Sequence, residues 1–194
     1  MSLTTSPTND LRFNVQGTLG AAGGLVGAEI SAFDPGSDRL FVTSSSGLQV
    51  IDLSDPTAPS LIELIDFTTL GFATTDITSV AVKGGIVAVA LPAANKANNG
   101  QVVLLNANDG SLIDSVEVGA LPDMVTFTPD GTKILVANEA EFLADGTAGG
   151  AGSVSIITLG GGSPTVVTAG FAGFDGQEAA LRAAGVRIFA GQSV

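Results

Sequence analysis

The chain contains no cysteine, no histidine, no tryptophan and no tyrosine. Without thiols there are no disulfides and no thiolate metal sites, and the redox compartment is left open. Without imidazole, the commonest general base and the commonest transition-metal ligand are missing. Any metal would be held by oxygen, which favours Ca²⁺ or Mg²⁺. Basic residues are scarce as well, 7 against 19 acidic ones, for a net charge of −12. Such a surface repels phosphate backbones and anionic lipid, so nucleic acid and membrane surfaces are poor partners and cations better ones. Solubility alone is the plainer reading of the same charge. No apolar run approaches the ~20 residues of a membrane span. The opening "MSLTTSPTNDLRF" has neither the basic start nor the apolar stretch of a cleavable secretory signal. The expected locations are therefore the outside of the cell, reached by an export signal elsewhere, or the cytoplasm.

What is present suits a packed β structure. Hydrophobic residues make up 45% of 194 positions and charged residues 13%, enough apolar material for a core. The 26 glycines, beside many Val, Ile and Thr, fit short strands joined by tight turns.

Three segments share one pattern: "EISAFDPGSDRLFVTSSSGLQVIDL" from Glu29, "TSVAVKGGIVAVALPAANKANNGQVVLLNA" from Thr78, and "DMVTFTPDGTKILVANEAEFLADGTAGGAGSVSIITL" from Asp123. Each reads as a strand, a tight turn ("DPGSD", "KGG", "TPDGTK"), a more apolar strand, a variable loop and a third strand. A fourth strand follows in each: "SLIELIDF", "SLIDSVEV" and "PTVVTAG". The first strands align on Phe33, Val82 and Phe127, the second on Val42, Val89 and Val136, the third on Ile51, Leu104 and Ile156. Four strands repeating every ~45 residues are the signature of β-propeller blades. Nearly continuous apolar second strands fit burial on both faces between neighbouring blades. A β-sandwich with a chance echo is the structural alternative.

The expectation is therefore an all-β chain: a partial β-propeller of about three four-stranded antiparallel blades, with one short helix near the C-terminus. A disordered tail is expected over 1–10 and the incomplete propeller domain over 11–194. Its blades span about 28–72, 76–119 and 121–170. "DGQEAALRAAG" reads as a helix over 176–184, with Asp175 as cap, Glu178 at the capping-box position and Gly185 as its end. "VRIF" then starts a further strand over 186–189. Three blades form an open arc with two bare apolar faces, so the reading is an N-terminal piece of a longer protein, whose partners are its own remaining blades. "LRFNVQGTLG" is read as a strand that completes another blade.

The motifs "GAEISAFDPGSDRLFVTSSSGLQVIDLSDPTAPS", "GALPDMVTFTPDGTKILVANEAE", "GSVSIITL" and "AALRAAGVRIF" resemble the choice-of-anchor I family. That resemblance runs from about Leu11 onward and implies a bacterial extracellular or surface protein. It implies a large N-terminal propeller of about seven blades and a variable C-terminal anchor or export region. Some members carry an alkaline phosphatase label. The family's Asn-Glu-Gly-Glu-Pro pattern after the second strand here reads Asn138-Glu139-Ala140-Glu141-Phe142, so its Gly and Pro are replaced.

Propeller geometry puts the starts of inner strands and the ends of second strands on one face of the disc. Glu29, Thr78 and Asp123 each stand four residues before the aligned first-strand position and should ring one mouth of the channel. Asn138, Glu139 and Glu141 leave the second strand at that same face, as do Asn95, Lys96, Asn98 and Asn99 in the second blade. Carboxylates crowded at one mouth repel unless solvated, protonated or bridged. Glu29, Asp123, Asn138, Glu139 and Glu141 are thus the candidate metal ligands, for Ca²⁺ or Mg²⁺, and a bound cation could hold a phosphate. The same residues also read as solvated loop acids or turn residues.

Weaker signals are "NANDG" at 106–110, which sits where a hairpin turn belongs, and "GGLVGAE" and "LGGGSP", neither of which is a phosphate loop. "SSS" at 44–46 has no histidine partner. Phe171 and Phe174 read as packing residues. Two functions follow: a non-catalytic extracellular binding or scaffold module with an unspecified ligand, or part of a metal-dependent phosphoesterase, inactive as this chain alone.

Overall fold

The structure, a computed structural model, describes residues 14–141 and 150–188. Among the described residues, twelve strands form three four-stranded antiparallel sheets in simple meander order. The first sheet holds β1 (Ser31–Asp34), β2 (Arg39–Ser44), β3 (Gly47–Asp52) and β4 (Ser60–Ile65). The second holds β5 (Ser79–Lys83), β6 (Ile86–Leu91), β7 (Asn99–Asn106) and β8 (Leu112–Ala120). The third holds β9 (Pro122–Phe127), β10 (Lys133–Asn138), β11 (Ser153–Thr158) and β12 (Thr165–Gly170). The sheets stand side by side with their first strands β1, β5 and β9 adjacent, which is the arrangement of propeller blades.

Turn chemistry closes each inner hairpin. Lys83 pairs with Ile86 across Gly84 and Gly85, both with positive φ (59° and 78°), as the twist-matched two-residue turn requires. In the first blade, buried Asp34 accepts the backbone N–H and hydroxyl of Ser37. In the third, Asp130 accepts the Thr128 hydroxyl and the Thr132 N–H.

Alternation along the strands divides the core in two. Val87, Val89 and Leu91 of β6, with Val103 and Leu105 of β7, face the first blade and pack with Phe41, Leu48, Val50, Ile65 and Phe67. Ala88 and Ala90, with Val102 and Leu104, face the third blade and pack with Val125, Ile134, Val136 and Ile157. The middle blade is thus buried on both faces, which is why its strands read as unbroken apolar runs. Polar bridges stitch the blades as well. Ser79 Oγ accepts from Val125 N at 3.2 Å, the Thr78 hydroxyl donates to the Pro122 carbonyl, and Arg39 donates to the Ala107 carbonyl.

The register fixes which surface of each blade meets its successor. One cross-strand row runs Ala32–Phe41–Val50 in the first blade, Ala81–Ala88–Leu104 in the second and Thr126–Leu135–Ile156–Val167 in the third. The first two rows are covered by the following blade. The third is not: Val167 is 66% and Met124 50% exposed, and Ala137 and Val154 beside them are exposed too. For the same reason β10 alternates in burial where β2 and β6 run buried almost throughout.

Three expectations need correction. The third-strand equivalent in the first blade is Val50, because Val50 pairs with Phe41 as Leu104 pairs with Ala88. Ile51 points to the opposite face, since a slip of one residue inverts every side chain. The helix α1 spans Glu178–Ala183 with Gln177 at its N-cap, and no side chain caps it. Asp175 lies too far ahead, while Glu178 accepts from the Gly176 N–H. Residues 14–20 form no strand, and neither do 186–188. Leu11, Phe13, Phe142, Phe189 and the tail over 1–10 lie outside the described residues. Among the described residues, no helix is long and apolar enough to cross a membrane.

Candidate functional site

The equivalence of Glu29, Thr78 and Asp123 has a backbone basis. Glu29 N donates to the Thr43 carbonyl and Thr78 N to the Ala90 carbonyl, each at 3.2 Å, just ahead of β1 and β5. Asp123 holds the matching place in β9, with one difference. Ala137 of β10 pairs with Met124 while Asn138 pairs with Pro122, so Asp123 is an extra residue on its strand. A bulge of this kind bends the strand and re-aims a side chain.

Past the bulge, Glu139 N donates to the Leu121 carbonyl at 2.9 Å, which holds Glu139 beside Asp123. The Asp123 charge pushes the Glu139 pKa above the usual carboxylate range. Partial burial, the Glu141 charge and a hydrogen bond shared with Asp123 act in the same direction. Asp123 and Glu139 are therefore neighbouring carboxyl groups, with Glu141 close enough to add its field at Glu139.

Asn138 goes elsewhere. Its carboxamide donates to Ser153 Oγ at 3.0 Å and Ser155 Oγ at 2.9 Å, and its side chain is buried between the second and third blades. Gly119 N donates to the same Ser155 hydroxyl. Asn138 Oδ1 is buried with no partner among the described residues. Glu29 is exposed and stands two blades from Asp123. Of the five residues expected to share a site, Asp123, Glu139 and Glu141 are neighbours, and Glu29 and Asn138 do not join them. Among the described residues no three acidic side chains converge closely enough to hold a metal ion.

The other signals resolve into turns. Asn106 accepts from Asn108 N and Asp109 from Ser111 N inside the β7–β8 hairpin, so "NANDG" closes a turn. Asn95 accepts from Ala97 N, and Asn99 donates to Glu117. Ser44 donates to the Gly47 carbonyl in the β2–β3 turn. Phe171 and Phe174 are both about half exposed. Phe171 borders an open cleft of ≈ 640 Å³ between β8 and β12, which Glu117, Ser153, Thr168 and Asp175 also line.

Sequence reasoning missed the bulge at Asp123. The neighbouring proline, which donates no backbone hydrogen bond, was the only available hint of a broken ladder.

A family model described as the choice-of-anchor I domain matches residues 29–194. No curated protein matches the chain. Hydrazine synthase from Kuenenia stuttgartiensis has a similar fold, with a TM-score of 0.53 at 18% identity over 73% of this chain and 38% of that one. The β-propeller domain of the trilobed protease from Pyrococcus furiosus matches with a TM-score of 0.42 at 10% identity, over 74% of this chain and 43% of that one. The chain thus spans less than half the length of either structure.

Proposed function

This chain belongs to the choice-of-anchor I domain family, and from that premise we propose that it serves in an extracellular or cell-surface β-propeller as a binding or scaffold section. The observation that carries this reading is the uncovered row Thr126–Leu135–Ile156–Val167. It repeats, position for position, the surface that the first two blades bury on their successors. Its natural occupant is a further four-stranded blade continuing the repeat, because continuity with two existing blade contacts defines the shape to be matched. The absence of histidine and cysteine favours binding over chemistry.

A second reading draws on the Asp123–Glu139 pair. Two neighbouring oxygen-only side chains suit a hard cation, Ca²⁺ or Mg²⁺, that relieves the repulsion between them and completes its shell with water. A phosphoesterase would build on the same cation, although a two-metal centre needs more ligands than this pair supplies.

One experiment separates the readings. The chain and Asp123→Asn are titrated with Ca²⁺ and Mg²⁺ by calorimetry, then assayed on a phosphomonoester with and without chelator. Cation binding that Asp123→Asn abolishes, with no turnover, is the expected result for a cation-holding binding module. Metal-dependent turnover lost in the variant would establish the enzyme instead. No heat with either cation would remove the cation from both readings and leave the scaffold.

A further inference from the structure

The two blade junctions differ at the same register position. Gln101 pairs with Leu91 near the start of β7, as Ser153 pairs with Asn138 at the start of β11. At the first junction the long connection from β4 to β5 folds over that end. Its Phe72 packs against the first core and meets Phe67 edge to face, with ring centroids 6.3 Å apart. The cavity left there is ≈ 190 Å³. At the second junction Leu121 alone joins β8 to β9, so no connecting segment enters. The cleft between β8 and β12 holds ≈ 640 Å³, within the ~300–1,000 Å³ of small-ligand sites. Both of its walls are blades of this chain, so the cleft does not depend on what adjoins the outer faces of the stack.

The lining is polar with one aromatic side. Glu117 stands in the β8 wall, its Oε1 held by Asn99 Nδ2 at 3.0 Å. Ser153 Oγ accepts from Asn138 Nδ2 at 3.0 Å, and its own hydroxyl hydrogen has no acceptor among the described residues. Thr168 brings a second hydroxyl from β12, and Asp175 a second carboxylate. Phe171, half exposed, borders them. Among the described residues no basic side chain lines the cleft. Gly170 pairs with Ser153 and leaves room, because a Cβ there would meet nothing within 4 Å. It follows Val166 and Thr168 on the face of β12 that looks toward the second blade.

We propose that this cleft binds a neutral saccharide, with Phe171 against the apolar face of a sugar ring and Glu117 and Ser153 on its hydroxyls. Sugar hydroxyls both donate and accept, which matches carboxylate acceptors set beside free hydroxyl donors. The C–H groups of the ring suit the negative face of an aromatic side chain. An anionic sugar is repelled by Glu117 and Asp175. A cationic ligand would use the carboxylates and leave the hydroxyl donors of Ser153 and Thr168 unpaired. The inference rests on the binding-module reading given above and names a ligand class for it.

The test follows backbone amide shifts of the full chain by NMR as cellotriose, maltotriose or mannotriose is added to millimolar concentration without divalent cation. At least one sugar is expected to move the amides of Gly119, Ser153 and Gly170 saturably. Gly170→Val fills the cleft and Phe171→Ala removes the ring. Each should abolish those shifts while the amides of Val89 and Val136, in the two cores, keep their wild-type positions. Shifts that persist in both variants overturn the site. So do saccharide shifts confined to other surfaces, which would keep a binding module but place it elsewhere. Spermidine moving the same amides where no sugar does would overturn the ligand class. No shift with any of the three sugars overturns this inference alone, since the scaffold reading stands on the uncovered row of the third blade.

Discussion

Asp123 and Glu139 meet across β9 and β10 because a bulge places an extra residue at Asp123 just where the chain leaves β10 at Glu139. The Glu139 pKa is raised, so over the interval between its unfolded and folded values the folded chain holds a proton that the unfolded chain has released. The stabilisation is complete below the unfolded value, about 4.3 for Glu, and fades as pH rises through the folded one. Glu139→Gln, which keeps a donor without the charge, should flatten that part of the profile. Urea midpoints of the two proteins that stay parallel from acid to neutral pH would show that the pair is not coupled.

The acid-lined turns pull the other way. Asp130 is held down to about 2 by the Thr128 hydroxyl first, then by Thr132. Its contribution is present above the ordinary aspartate value of about 3.9 and is lost as pH falls toward the folded value. Asp130→Ala should be less stable than wild type at neutral pH and equal to it in strong acid. Thermal melts across that range check the convergence. A gap that persists in strong acid would place the effect in packing rather than charge.

Ser79→Ala tests the stitch between the second and third blades. The substitution leaves the buried Val125 N–H without its acceptor. The expected cost is about 1–3 kcal/mol. Faster hydrogen exchange at Val125 should accompany the loss. Unchanged exchange there would mean that the bond is not formed in solution.

The two faces of the third blade should respond oppositely to substitution. Ile134 is fully buried toward the second blade, and its truncation to Ala should cost about 2–5 kcal/mol. Met124→Lys with Val167→Lys changes the open face and should stay within about 0.5 kcal/mol of wild type. Chemical denaturation of both proteins gives the comparison. A large loss from the lysine pair would mean that the face is already covered.

The architecture was legible in the sequence because the second strands repeat at equal intervals and their turns carry Gly, Pro and Asp. The third strand of the first blade was misaligned at Ile51. The β2–β3 turn is only Ser45–Ser46, against the loop over 92–98 in the second blade, and an apolar run such as "LQVIDL" does not announce its register. Residues 14–28, bonded to Gln49 of β3 through Val26 and Gly27, form no strand although "LRFNVQGTLG" reads as one, and the sign of their place is a glutamine in the middle of an apolar strand. A buried amide needs partners, so Gln49 was the signal that could have found them. At the candidate site, Asp123, Glu139 and Glu141 share one end of one blade, where local spacing predicts proximity. Glu29 belongs to a separate sheet, and Asn138 follows its strand's alternation into the interblade contact.

The blades are joined unequally. Residues 66–78 lead from β4 to β5, whereas Leu121 alone separates β8 from β9, and it is buried in a left-handed conformation with φ of 50°. The second and third blades are thereby held as one stiff block, with no slack for an inserted segment at their junction. Phe67 and Ile77 at the two ends of the longer connection are buried in the first core, so its exposed stretch 68–71 is the place where new termini can be opened by circular permutation, or a guest domain threaded in, while both cores stay intact.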